Sequence, residues 1–574
     1  MIFALNKSVE KSKKLKKEFK RDINKGLFIG FGKDLTDKES LIEPIYVPWK
    51  NLNGHTVVFG TTRVGKTRLM MSFVEQMIEV NMDLIIVDPK GSEGQEILAW
   101  ILEYCEKHGK MNGYKYISPQ FPESSLCFNA LYYMSNEEIS SLIRDIIQAE
   151  DEFYKNMGAD VVYAICLATD YLEKTSNPER VKKAIQEEYE RFEQEASFAD
   201  EIQKIMNPDL ATRVVEPLSP EQLESAKPPL RTLITFADLN AYSSRQGMEA
   251  LKAHIENTNE ELLEVEHTPE LLALRNQALA NLEKIIKKPD DYFIKVGSSY
   301  ETLISQLSSG KVGKILSSTK INPIIDMLYD KSQSYIFVVQ PFPMIFRQAS
   351  DALVKIFFAM LTSLYGRIGS TGRMLPRQVG LCVDEGGSVL YPGVETLFNK
   401  AGGLGLRIMI FTQAFSDFDA VVGEDIARII SDNTNIKIYL RMNDESSRER
   451  VSKSFGVLKQ VSDGLGGTKR DVRTTMQRTE ENILNDSHVS ELPEQHFLFQ
   501  HGPRKFVVKG PFVPDAKYFI KMPKLDSEIN MENFAEAIRL RREKEREKNK
   551  ISKENSESIY LSWHISKNKL KYKK

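Results

Sequence analysis

One run of eight residues constrains this chain more than any other: Gly60-Thr61-Thr62-Arg63-Val64-Gly65-Lys66-Thr67. It follows a short β-branched stretch, HTVVFG (55–60), and precedes TRLMMSFVEQMIEV (67–80), where apolar residues recur at helical spacing. DLIIVDP (83–89) then reads as a second buried strand. Strand, loop, helix and strand with short connections predict a βαβ unit, and so a parallel sheet with helices on its faces. In that setting the glycines let backbone N–H groups turn inward at a helix N-terminus and form a concave anion site. Lys66 would reach the β- and γ-phosphates of a nucleotide, and the Thr67 hydroxyl would coordinate Mg2+.

A phosphate cradle alone would serve a kinase, a switch GTPase or a transporter. QVGLCVDEGG narrows the choice, because a mostly apolar strand delivers Asp384-Glu385 to its C-terminal edge. Asp384 would join the Mg2+ shell and Glu385 would act as general base on the attacking water. Gln413, which ends RIMIFTQ (407–413), would either sense the γ-phosphate or cap a helix. Asp88-Pro89-Lys90-Gly91 ends the second strand on the same sheet edge, either as a plain turn or as part of the site.

The rest of the chain divides by composition. Residues 1–25 form a basic arm, and 26–134 the first part of the nucleotide-binding domain. Over 135–288, Glu, Lys, Ala, Leu and Gln dominate and strand-like runs vanish, which predicts an all-helical insertion cut at Asn177-Pro178, Asn207-Pro208 and Pro228-Pro229. Strand patterns return over 289–530: SYIFVVQPF (334–342), RQVGLCVDE (377–385), RIMIFTQ, NIKIYLRM (435–442) and a hairpin across 496–510. Residues 531–574 read as a charged, disordered tail. The fold class expected is α/β, a mostly parallel sheet built from two sequence blocks with an all-α domain between them.

Charge is distributed unevenly. Lys7 to Lys25 carries nine Lys/Arg against three acids and Arg539 to Lys574 thirteen against five, or +6 and +8, so the body is near −16 for a net charge of −2. Basic ends of this kind either touch a nucleic acid or an anionic surface, or are simply solvated. The Lys459–Arg478 segment, with Lys469, Arg470, Arg473 and Arg478 around a glycine stretch, is either a channel-lining basic loop or an ordinary solvated one. Four scattered cysteines signal neither disulfides nor zinc. A bilayer span needs roughly 20 nearly unbroken apolar residues; the best stretch, Leu353 to Tyr365, is shorter and carries Lys355, so it reads as a buried core helix.

HTVVFGTTRVGKTRLM, DLIIVDPKGSEG, LCVDEGG and IMIFTQAFSDF in this order resemble the conjugative type IV coupling proteins of the TraD/TraG group, most nearly the TraD proteins of SXT-like integrative elements. The likeness runs from about residue 26 to 515 and includes FNAL (128–131) and DDYFIKVGSS (290–299) at the edges of the helical block. The resemblance implies a RecA-like, hexameric ATPase that uses ATP and Mg2+. Such a protein links relaxase and relaxosome proteins to the ATPases and inner-membrane subunits of a type IV secretion channel, and drives single-stranded DNA through it. The all-α domain would face the DNA-processing side. By position, Lys66 and Thr67 match the phosphate-loop pair, Asp384 and Glu385 the second motif, and Gln413 the glutamine beyond it. Members of the group usually begin with transmembrane helices. This chain has none, so the expectation is a cytoplasmic protein held at the inner face of the plasma membrane through a separate anchor, or else one that works as a soluble form or has lost the transfer role. The group's active-site arginine, in a GRKAG-like stretch, is unmatched at Asn399–Arg407; Lys400 or Arg407 would substitute, or Arg428 or Arg441 from a neighbouring subunit. Alternatives are an FtsK- or HerA-like ring translocase, a secretion-channel assembly ATPase, or a nucleotide-dependent scaffold that translocates nothing.

Overall fold

The computed structural model describes residues 19–37, 39–91, 95–147, 152–176, 234–257, 268–296, 300–391, 393–466, 473–518 and 520. The tail from 531, most of the basic arm, Lys469, Arg470 and the three Pro-containing breaks of the insertion lie outside them. The strands are β1 (Leu27–Asp34), β2 (Glu43–Val47), β3 (Thr56–Phe59), β4 (Asp83–Val87), β5 (Tyr114–Ile117), β6 (Ile336–Val339), β7 (Val379–Val383), β8 (Leu406–Thr412), β9 (Ile436–Tyr439), β10 (Val457–Gly466), β11 (Arg473–Asn482), β12 (His496–His501) and β13 (Arg504–Lys509). Among the described residues, eleven of them form one sheet in the order β2-β1-β13-β12-β9-β3-β8-β7-β4-β6-β5, and β10 and β11 pair separately. The seven from β9 to β5 pair in parallel, and β12, β13, β1 and β2 extend them antiparallel. This is the expected α/β class, with a mostly parallel core. The strands β1 and β2 lie within residues 26–50, a stretch rich in glycine and aromatic residues.

Apolar residues on both faces of each central strand explain why both faces are covered. On β4, Leu84 and Ile86 join a core with the helices Lys66–Glu79 and Glu96–Lys107, while Ile85 and Val87 join the opposite core. That second core is continuous with the helical block, taking in Ile139, Leu142 and Ile143 of Asn136–Ile146, Val161 and Ile165 of Glu152–Ser176, and Leu353, Phe357 and Leu361 of the helix Gln348–Thr371. The last of these is the one helix, among the described residues, long and apolar enough to cross a bilayer, yet most of its apolar window is buried inside the fold. It serves as the packing floor between sheet and insertion.

Helices also continue past 288, through Thr302–Ser308 and Gly310–Ser317 to Pro323–Tyr329, before β6 begins. The sequence boundary at 288 follows a change of composition: serines and glycines enter from Gly297 onward, but Leu303, Ile304, Leu307, Val312, Ile315 and Leu316 keep one buried side at helical spacing.

At the other end of the strands from the phosphate loop, Asp83 locks three of them together. Its fully buried carboxylate accepts the Tyr335 backbone N–H (2.7 Å) ahead of β6 and the Arg377 Nε–H (3.0 Å) ahead of β7. Burial pushes its pKa up to about 6, against the pull of the Tyr335 N–H and Arg377. Removing one member of such a pair strands a buried charge, so Arg377→Met should cost about 3 kcal/mol in urea unfolding, and adding Asp83→Asn should return part of that loss.

Candidate nucleotide site

Parallel register brings the motif residues to one edge. Phe59 pairs with Thr412, Val383 with Ile410 and Val87 with Val383, so Gly60, Gln413, Asp384 and Asp88 all emerge from the C-terminal ends of adjacent strands β3, β8, β7 and β4. From Gly60 the loop bends over to the helix Lys66–Glu79. Gly65 closes that bend at φ +99, a conformation that costs other residues dearly, and no side chain caps the first turn. The helix therefore presents its first N–H groups to the concavity, where an anion would meet them. Lys66 is buried beneath the loop, donating from Nζ to the carbonyls of Gly60 (2.5 Å) and Thr61 (3.1 Å). A buried cation bonded to loop carbonyls is a donor set suited to phosphate oxygens. Thr62 and Arg63 are exposed at the loop's crest, and Val64 is buried beneath it.

Thr67 Oγ1 donates to Asp384 Oδ2 at 3.5 Å, across from the loop. Asp384 is buried, and burial first, then the charges of Asp88 and Glu385, push its pKa up to about 6 despite Lys66. A hydroxyl and a carboxylate this close, in a pocket with surplus negative charge, fit the oxygen ligand set of one Mg2+. Glu385 sits at φ +52. Its Oε2 accepts from Gln413 Nε2 (3.1 Å), and its Oε1 pairs with Lys90 Nζ. Burial pushes the Glu385 pKa up, but the Lys90 and Gln413 hydrogen bonds with the Lys90 and Lys66 charges outweigh it and hold it below the usual range. Asp417 Oδ2 accepts from the Thr412 hydroxyl and from the backbone N–H groups of Gln413 and Ala414, so the glutamine is fixed at its base and aimed at the acid.

Local sequence leaves Lys90 in a possible turn; its contact with Glu385 depends on β4 and β7 being neighbours, which no local pattern reveals. The two substitutes read from Asn399–Arg407 for the missing arginine are misplaced. Arg407 is buried at the start of β8, bonded to the Gly402 carbonyl (2.6 Å), and five positions before Thr412 it stands about 16 Å from the site edge. Lys400 ends the helix Glu395–Lys400 on that same far side. Arg441 follows β9 beside the loop, its carbonyl accepting the Thr61 N–H (3.0 Å), whereas Arg428 is exposed and paired with Asp425 (3.5 Å). Of the basic segment 459–478, residues 459–466 lie on β10 and 473–478 on β11, with Gly466 opposite Arg473 and Val461 opposite Arg478.

Sheet, loop and acid pair together define a P-loop NTPase fold. Residues 378–494, which contain Asp384, Glu385 and Gln413, match the family described as the TraM recognition site of TraD and TraG. No curated protein sequence matches the chain. Solved structures similar to it include the plasmid coupling protein TrwB in complex with ADP and Mg2+, at 14% identity and a TM-score of 0.49 over 85% of this chain and 95% of that one. The VirB4 structure of Thermoanaerobacter pseudethanolicus is similar at 12% identity and a TM-score of 0.41, over 86% and 98%. At these identities and scores no function passes from those proteins to this one.

Asp384 makes the site costly to the fold. A carboxyl whose pKa rises from 3.8 to about 6 on folding destabilises the native state when ionised, fully above pH 6, and the penalty fades as the pH falls toward 4. Asp384→Asn should therefore raise unfolding stability at pH 7.5 by about 2 kcal/mol, read from denaturant midpoints, and the gain should shrink at pH 5.

Proposed function

We propose that the chain is the ATP-hydrolysing coupling protein of conjugative DNA transfer, joining a relaxosome to a type IV secretion channel and moving single-stranded DNA. The observation that carries the reading is the convergence of the loop Gly60–Thr67 with Asp384, Glu385 and Gln413 on one sheet edge, within a chain whose residues 378–494 match a TraD and TraG segment. TraM recognition by that segment in TraD and TraG supports a relaxosome protein of the TraM kind as partner here. The site's own donor set supports a nucleoside triphosphate with Mg2+, and ATP is the nucleotide of this reading.

In this reading Gly60, Thr61, Thr62, Arg63, Val64, Gly65, Lys66 and Thr67 wrap the phosphates, and Lys66 exchanges its loop carbonyls for β- and γ-oxygens. Thr67 and Asp384 hold Mg2+. The metal, when bound, spreads the charge developing on the phosphate oxygens. Glu385 accepts a proton from the attacking water, and Gln413 keeps that carboxylate in place beside the γ-phosphate. Subunits assemble as a homo-hexamer at the inner face of the plasma membrane, held there by partners.

Lys66→Ala should abolish Mg2+-dependent ATP hydrolysis. Glu385→Gln should still bind ATP but turn it over at least ~100-fold more slowly, the usual worth of a general base, and unchanged turnover would remove Glu385 from that role. Specific activity should also rise with protein concentration and with added single-stranded DNA. A monomeric preparation at full rate, indifferent to DNA, would sink the translocase reading.

A further inference from the structure

Glu385 leaves β7 between two neighbours, β8 on one side and β4 on the other. A glutamate side chain has three free torsions, and this one starts from a left-handed backbone position, so its carboxylate depends on partners to be aimed. Each flanking strand sends one group to it. Gln413, at the end of β8, donates to Oε2, and Lys90, beyond β4, pairs with Oε1. Resting on the hydrolysis reading above, we propose that Lys90 is a positioning residue for the reaction, holding the Glu385 carboxylate from the β4 side as Gln413 holds it from the β8 side.

Lys90 is itself braced. Asp88, fully buried, accepts the Gly91 N–H at Oδ1 (3.1 Å) and Gln340 Nε2 at Oδ2 (2.8 Å), and the Gln340 Oε1 accepts the Tyr116 hydroxyl (2.8 Å). Gly91 takes φ +58, and a Cβ there would meet the Phe342 ring at 2.4 Å, so the turn is pressed against the segment that follows β6. Polar bonds thus run from β5 through β6 and β4 to the turn that presents the lysine. Lys90's side chain is 55% exposed and Glu385's 16%, and Gln413 still donates to the carboxylate when the lysine is lost, so a pair half-open to solvent contributes little to folding, which separates a role in positioning from one in stability. The charge of Lys66 also acts on Glu385, and on the hydrolysis reading Lys66 turns to phosphate when nucleotide binds. Lys90 then stays on the base.

The test compares full-length wild type, Lys90→Ala and Lys90→Arg for nucleotide affinity, KM, kcat and melting temperature. Lys90→Ala should melt with wild type and bind nucleotide with a Kd within about threefold of it, yet lose about 10- to 100-fold in kcat, as displaced catalytic groups do. KM should stay near the wild-type value, because the lysine acts on the base and not on the bound nucleotide. Lys90→Arg, which keeps a donor and a charge within reach of the carboxylate, should restore most of kcat. Lys90→Ala with wild-type kcat would overturn the proposal, as would a loss of kcat matched by an equal loss of affinity, which would make Lys90 a phosphate ligand. A wild-type chain that binds nucleotide without turnover would instead overturn the hydrolysis reading, and the positioning role with it.

Discussion

The site depends on parallel pairing among β3, β8, β7 and β4. Parallel strands share a direction, so their C-terminal ends fall on one edge, and their register decides which residues stand side by side there. Phe59 opposite Thr412 and Val383 opposite Val87 bring a phosphate loop, a glutamine, an acid pair and the Asp88 turn into one row. A slip of one residue in β7 would turn Asp384 to the other face of the sheet, since side chains alternate. The apolar residues on both faces resist that slip, because Cys382 and the pair Leu381 and Val383 belong to different cores.

Electrostatics at that edge run against stability. Asp88, Asp384 and Glu385 crowd together, with Lys66 and Lys90 between them. Burial lowers the Lys66 pKa and raises that of Asp384, so each charge is held at a cost to the fold that only the other charges partly offset. At the far end of the strands Asp83 carries a similar burial cost, its pKa likewise pushed up to about 6, but its carboxylate is bonded to the Tyr335 N–H and Arg377 and so pins β4 to its two neighbours where they begin. One end of the sheet is bonded for rigidity, and the other keeps charge for a ligand.

The helical block bears on the sheet through Gln348–Thr371 rather than standing apart from it. Leu142, Ile165, Ile304, Leu307 and Leu353 belong to one continuous core with Ile85 and Val383. Movements of the block would therefore be felt by the floor on which β4 and β7 rest.

Much of this was legible in the residues. GTTRVGKT between a strand and a helix, and LCVDE at a strand end, carry their own local signals: apolar runs, glycines at a bend, acids where the run stops. The helix Lys66–Glu79, the middle of Gln348–Thr371 and the strands β3, β4 and β6 to β9 follow from apolar spacing and apolar runs, which depend on near neighbours in sequence. Strand order does not. That β8 lies between β3 and β7, that Lys90 therefore meets Glu385, and that Arg407 begins the strand whose far end carries Gln413 are contacts across hundreds of residues or opposite ends of one element. The helices from Thr302 to Tyr329 were hidden because serine and glycine changed the composition while the apolar spacing persisted. Sequence alone determined which chemical groups this chain carries and the short elements that hold them, because those depend on local backbone preference; tertiary structure decided which of them share an edge, because that depends on packing between segments far apart in the chain.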